Sequence, residues 1–359
     1  MEKIKTVFLK GNYYQIGYQH GKILKEEIKE IIEKLREIIF YHEGKKRGKF
    51  TYEILKLTTI YLNYFLKKEF KEELKGISEG ADVDYKLILL ENFLEEIAEW
   101  YFSSKIRKIL PFKCSAFVVK ENDQILAGRN LDYSEAMPPA NILFVYYPEN
   151  SNPFVSLSWP GNIGAFTSFS NYLSIFLLSS PLKKKYLKGK PWEIFTREII
   201  QKDNSLDSAI KEILREKIFL GQNIVLVSEE NAAVVEYSPY KKAIRELKDQ
   251  LIVTNHFEDK EMSLLQEGLQ EEKPLYTEVP EDWFTLSGSK KRFKKIEELL
   301  KEKPITLEKA KDILGQISTK GTLQSIVFLP KEKELHIAFN SKPPVTLGEW
   351  LKINLKDLI

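Results

Sequence analysis

Up to about residue 110 the apolar positions recur every three to four residues, which is the spacing of an amphipathic helix. Over 13–40 the stripe is Ile16, Ile23, Leu24, Ile28, Ile31, Ile32, Leu35, Ile38 and Ile39, set between Lys and Glu. Residues 52–75 and 84–102 repeat the texture, with Asp84 or the turn before it placed to cap the third helix. A short apolar linker follows, Lys108-Ile-Leu-Pro-Phe-Lys113, in which Pro111 ends any helix. From Cys114 onward the period falls to two. Residues 114–119 and 125–129, joined by Glu121-Asn-Asp-Gln124, predict a hairpin. Further strands are predicted at 142–147, 154–159, 173–178, 224–228 and 232–237, helices at 192–201, 206–216, 290–301 and 307–317, and a last strand pair at 325–329 and 334–339. Strands, then helices, then strands again predict an α+β fold of two packed sheets flanked by helices, without regular β-α alternation.

Composition narrows the setting. With 359 residues, 43% of them hydrophobic, the chain can bury a large core. Its 55 basic residues nearly balance 52 acidic ones, so neither nucleic acid nor an anionic membrane is expected as a partner. The 30% charged content is of the kind common in thermophiles. A single cysteine allows no internal disulfide, which suits a reducing compartment. The opening residues contain no apolar run of signal-peptide length, and no stretch is apolar enough to span a bilayer. The expected location is cytoplasmic; the oligomeric state is left open.

Several motifs fail on context. Gly76-Ile-Ser-Glu-Gly80 has the spacing of a serine nucleophile elbow, but a charged helix precedes it where a strand is required, so its glycines are expected to end that helix. Ser-x-x-Lys occurs at Ser180/Lys183, Ser208/Lys211, Ser238/Lys241 and Ser287/Lys290 without a companion Lys-Thr-Gly, as chance gives in so lysine-rich a chain. His20, His42, His256 and His336 are scattered, so no metal is expected, and no phosphate-binding loop is present. No cofactor is expected.

Cys114 carries the chemistry that remains. A lone cysteine is most often a small buried hydrophobe. This one opens a strand directly after a linker, where helices give way to a sheet. The hairpin returns Arg129 and Asp132 to its neighbourhood, a cation and a carboxylate near the sulfur, although a hairpin-end ion pair is the plainer reading of those two.

Cys114-Ser-Ala-Phe followed by Gly128-Arg-Asn-Leu-Asp-Tyr133 resembles the start of the mature chain in cysteine N-terminal-nucleophile hydrolases: choloylglycine hydrolases, penicillin V acylases, acid ceramidases and the isopenicillin N acyltransferase family. Gly11-Asn-Tyr-Tyr-Gln-Ile-Gly-Tyr-Gln-His-Gly21 and Leu74-Lys-Gly-Ile-Ser-Glu-Gly-Ala81 look like the pro-segment of the acyltransferase family. Val253-Thr-Asn-His-Phe257, Ser289-Lys-Lys-Arg-Phe293 and Thr322-Leu-Gln-Ser-Ile-Val-Phe328 extend the likeness to nearly the whole chain.

The resemblance implies a four-layer αββα sandwich and self-cleavage between Lys113 and Cys114. Residues 1–113 would then be a helical pro-segment that becomes the small chain, and 114–359 the catalytic domain. It implies Cys114 as nucleophile, its freed α-amine as base, Asn255 as oxyanion donor, Asp132 orienting the amine, and Arg129 and Arg292 supporting the network. Choloylglycine hydrolases carry a second active-site Asn where this chain has Ser179, which weakens the bile-salt reading. Tyr133, Trp159, Phe166 and Phe169 are candidate pocket lining, though aromatic strand residues are more often core. The implied reaction is attack on a linear C–N amide of a small molecule through an acyl-enzyme, ending in hydrolysis or acyl transfer. The rival readings are a lipid amidase of the acid ceramidase type and a non-catalytic relative that keeps the fold.

Overall fold

The computed structural model describes residues 4–101, 113–133, 137–184, 186, 188–269, 282–283 and 285–359. The expected linker before Cys114 lies outside the described residues except for Lys113. The helical first part is cut into more pieces than its stripe predicts: α1 (Tyr13–Ile23), α2 (Lys25–Glu43), α3 (Lys45–Tyr64), α4 (Lys68–Ala81), α5 (Tyr85–Asn92) and α6 (Leu94–Tyr101). Asn12 and Gln15 form a capping box at the start of α1. Asp84 caps α5 as expected, accepting from the Lys86 amide at 2.8 Å.

The Gly-x-Ser-x-Gly segment is corrected here. Its glycines lie inside α4 rather than at its end, where they allow α1 and α4 to touch backbone to backbone. A Cβ at Gly17 would lie 1.9 Å from the Glu73 carbonyl oxygen, and one at Gly76 would lie 2.3 Å from that of Tyr14.

The first part also donates a strand. β1 (Thr6–Gly11) pairs in parallel with β4 (Ile142–Pro148). It forms the edge of an eight-stranded sheet that continues through β5 (Phe154–Ser158), β6 (Thr167–Phe169), β7 (Ser174–Ser179), β8 (Gln222–Val227), β9 (Ala232–Tyr237) and β10 (Lys242–Glu246). The second sheet runs β11 (Gln250–Val253), β2 (Lys113–Glu121), β3 (Gln124–Asp132), β12 (Thr322–Leu329), β13 (Glu334–Phe339) and β14 (Glu349–Asn354). Apart from the β1–β4 pair, both sheets are antiparallel. Helices α1, α7 (Trp192–Lys202) and α8 (Leu206–Arg215) cover the large sheet, and α9 (Leu286–Leu299) and α10 (Leu307–Gln316) cover the small one. The architecture is the expected αββα sandwich.

Alternation along the central hairpin sorts its side chains. Cys114, Ala116 and Val118 join the core between the sheets, whereas Phe117 and Val119 pack under α9 and α10. The turn is made by Asn122 and Asp123, both at positive φ, 48° and 60°, as a tight hairpin turn requires.

One core runs without a break from the first helices into the inter-sheet space. Within it Arg197 on α7 makes a two-pronged ion pair with Glu73 on α4, at 2.7 and 2.8 Å, both side chains fully buried. The same guanidinium lies over the Tyr146 ring at 4.5 Å. Glu73→Ala should leave that cation buried and unpaired and cost about 3–5 kcal/mol, read from urea unfolding of the full chain. A cost under about 1 kcal/mol would show the pair to be incidental.

Candidate active site

Cys114 pairs with Leu131 across the hairpin, so Arg129 stands diagonally opposite on the same inner face. Its Nη2 donates to Cys114 Sγ at 3.3 Å and to the Leu177 carbonyl of the facing sheet at 2.9 Å. Nη1 donates to Gln324 Oε1 at 3.0 Å and to Thr167 Oγ1, and the Thr167 hydroxyl donates to the same Gln324 oxygen at 2.5 Å. A guanidinium with no solvent exposure is thus held between the sheets by neutral acceptors and the sulfur. Burial pushes the Cys114 thiol up to about 11; Arg129 offsets that only in part, and the Asp132 charge adds to it. The thiol therefore stays protonated at neutral pH.

The second half of the site lies on the other face of the same hairpin. Asp132 points away from the sulfur. Its Oδ1 accepts from Thr322 Oγ1 at 2.7 Å and its Oδ2 from Trp283 Nε1 at 3.0 Å. Arg129 and Asp132 form no ion pair among the described residues, so the plain hairpin-end salt bridge does not occur. The expected closeness of both charges to the sulfur holds by contact for Arg129 only.

Asn255, just past β11, takes the Cys114 backbone N–H on Oδ1 at 3.0 Å and Arg292 Nη2 on the same oxygen at 2.7 Å. Its Nδ2 donates to the Ser179 carbonyl at 2.8 Å. Arg292, on α9, also donates to Ser115 Oγ at 3.1 Å and to the Trp283 carbonyl, and its guanidinium lies 5.0 Å from the centre of the Trp283 ring. Ser289, one turn earlier, accepts the Asn255 N–H at 2.7 Å. Cys114, Arg129, Asn255 and Arg292 are thus linked by contact around one residue, with Asp132 one strand position further on.

Thr167, Gln324, Thr322, Trp283, Ser115 and Ser289 complete the network and were not singled out by sequence. Thr322 and Gln324 had a signal: with Ser325 they are the polar residues that open a strand ending in an apolar run. What that signal hides is a bulge. Thr322 pairs with Asp132 and Gln324 with Leu131, so two residues of equal parity reach opposite faces of the sheet.

Of the expected pocket lining, Tyr133 and Trp159 border a cavity of about 40 Å³ together with Leu35, Leu94, Glu91 and Glu193. Phe166 packs against Trp159, 5.5 Å between ring centres, outside that lining. Phe169 lies in the core, edge-on to Phe176 and tilted against Phe328. Ser179 contributes its carbonyl to Asn255 rather than a wall to the cavity. His20 and His256 are engaged elsewhere, with the Gly161 amide and with Glu258. Among the described residues no three ligating side chains converge on a metal position.

The sequence model of the acyl-coenzyme A:6-aminopenicillanic acid acyl-transferase family matches residues 118–343. The chain belongs to that family. Through it the chain is a member of the N-terminal-nucleophile superfamily. The matched span begins after Cys114, so it does not bear on that residue itself. Among curated proteins the chain is 26% identical to protein dcd1B of Dictyostelium discoideum over 240 residues, covering 59% of this chain and 45% of that one. It is 25% identical to an uncharacterized protein of Archaeoglobus fulgidus over 266 residues, covering 66% of this chain and 44% of the other. The chain spans about half the length of the curated relatives it matches. An N-acylethanolamine-hydrolyzing acid amidase ortholog from Caenorhabditis elegans aligns over 61% of this chain and 93% of its own, at 17% identity and a TM-score of 0.45. No helix among the described residues is long and apolar enough to cross a membrane.

Burial pushes the Glu193 carboxyl up to about 7, although Asn162 and Arg129 pull the other way. A carboxyl raised in the folded state contributes stability that is complete below about pH 4.5 and is lost as pH rises through about 7. Glu193→Gln should therefore gain about 3 kcal/mol on the parent between pH 4.5 and pH 8, measured by urea unfolding at the two pH values. An equal difference at both would contradict the assigned burial.

Proposed function

We propose that this family member is a self-processing cysteine amidase or acyltransferase that cuts its own Lys113–Cys114 bond and then attacks small-molecule C–N amides. The observation that carries the reading is the pairing at Cys114: its sulfur against a buried Arg129 at 3.3 Å, its nitrogen against Asn255 at 3.0 Å. In the uncut chain that nitrogen is an amide and cannot take a proton, and the thiol, raised to about 11, is a poor nucleophile. Adding one water across the Lys113–Cys114 bond leaves a carboxylate on Lys113 and an amine on Cys114. Such an amine has an unperturbed pKa near 8. It would accept the thiol proton at neutral pH, with nucleophile and base on one residue.

The thiolate would then attack an amide carbonyl. The C–N bond breaks, the leaving amine takes the proton, and an acyl thioester remains on Cys114. Water ends the cycle in hydrolysis, a second amine in transfer. Asn255 Nδ2 would serve as the oxyanion donor. In the uncut chain it is engaged by the Ser179 carbonyl, which an oxyanion would have to displace. Arg292, anchored on Ser115 and Trp283, keeps the Asn255 oxygen turned toward the Cys114 nitrogen.

Intact-mass measurement of purified protein through long incubation should find two fragments, residues 1–113 and 114–359, that co-elute on gel filtration because one core spans both. Cys114→Ala should remain whole and inactive toward penicillin V, bile-salt conjugates, N-acyl amino acids and short peptides, followed by amine release. Cleavage that persists in that variant would overturn the mechanism. A parent chain that stays whole and turns over none of the panel would favour a non-catalytic relative. Asn255→Ala should lower kcat by about 10²–10³-fold in processed enzyme.

A further inference from the structure

The cavity beside Tyr133 contains a charge arrangement that the proposed reaction does not use. Glu91 on α5 is nine-tenths buried, lines this cavity, and has no hydrogen-bond partner on either carboxylate oxygen among the described residues. Its carboxylate presses on Gly161, where a Cβ would lie 2.3 Å from Oε2. Glu193, in the first turn of α7, enters the same space and accepts from Asn162 Nδ2 at 3.1 Å. Glu95 forms a third acidic wall, hydrogen-bonded to the Tyr133 side chain. Burial and the Glu193 charge push Glu91 well above the usual carboxylate range.

The cation whose field reaches Glu193, Arg129, is already committed to Cys114, Leu177, Thr167 and Gln324. The cavity therefore lies within electrostatic reach of Cys114, and Glu91 and Glu193 have no cationic partner in contact among the described residues. Two things can neutralise them: protons, or a bound cation. A metal ion fits poorly, since no three ligating side chains converge among the described residues. An organic ammonium fits the dimensions. The volume, about 40 Å³, exceeds the roughly 10–15 Å³ that one water needs, so one –NH₃⁺ group can be held. Tyr133 and Trp159, 5.8 Å apart between ring centres, offer aromatic surface that favours a cation.

We propose that this cavity is the subsite for a primary ammonium group carried by the amide substrate, with Glu91 and Glu193 as its counter-charges. The inference rests on the amidase reading for its link to turnover, but the binding itself does not. The first half of the chain supplies Glu91, so the small fragment would be part of substrate recognition and not only a leader.

Two substrate pairs locate the ammonium. On the acyl side these are 6-aminohexanoyl-4-nitroanilide and heptanoyl-4-nitroanilide. On the amine side they are N-hexanoyl-1,6-diaminohexane and N-hexanoylheptylamine. In at least one pair the charged member should exceed its neutral isostere in kcat/KM by about 10- to 100-fold in processed enzyme. Glu91→Gln should bring that ratio toward one; because it removes an unpaired buried charge, the variant is expected to fold. Neutral isosteres preferred in both pairs, or a charged-to-neutral ratio untouched by Glu91→Gln, would overturn the proposal.

Calorimetry on the Cys114→Ala chain, with hexylamine against 1-hexanol, tests the subsite without catalysis. Saturable hexylamine binding that Glu91→Gln abolishes supports it, even if no amide is ever cleaved and the amidase reading falls. Equal heats for amine and alcohol would refute it, even if the enzyme proves to be an active amidase.

Discussion

A guanidinium buried between two sheets cannot remain there unless nearly all its donors find acceptors, and Arg129 imposes that condition on everything around it. Its partners come from four strands: Cys114 on β2, Thr167 on β6, Leu177 on β7 and Gln324 on β12. Satisfying them sets the register of the hairpin, the approach of the two sheets and the rotamer of the cysteine at once. The Cys114 side chain is therefore placed by a structural requirement of the core, and a shift in either sheet would be felt at the sulfur.

The hairpin separates the surroundings of the Cys114 sulfur from those of its nitrogen. The inner face holds the sulfur in an apolar, cation-braced space. The strand's other flank gathers Asn255, Arg292 and Asp132 around the nitrogen, each fixed by a further group: Ser289, Trp283 and Thr322. Polar groups this buried rigidify a site when every member is satisfied, and this cluster comes close to that condition. The acidic cavity does not. Its Glu91 carboxylate, without a hydrogen-bond partner among the described residues, is a local destabilisation within an otherwise well-matched core, the kind of departure that tends to mark function.

The first hundred residues are integral to this arrangement. β1 extends the large sheet, the Glu73–Arg197 pair ties α4 to α7, and the glycine faces of α1 and α4 bring both helices close enough to seal that side of the core. A segment bound so extensively would not be shed by breaking one peptide bond at its end.

Periodicity alone determined the change from helix to strand near residue 110, the central hairpin with its Asn122-Asp123 turn, and the α+β class, because those patterns record which face of each element is buried. Local spacing also singled out Cys114 and Arg129, since a hairpin of known length brings fixed positions together. It left unseen β10 and β14, whose exposed, charged residues suit sheet edges and lack an apolar alternation. It merged six helices into three, because a stripe continues across a kink that only packing reveals. Above all it could not place Thr322 and Gln324 on their opposite faces, or set Glu91 of one half against Glu193 of the other. A bulge and a long-range contact decide those, and neither leaves a local trace in the order of the residues.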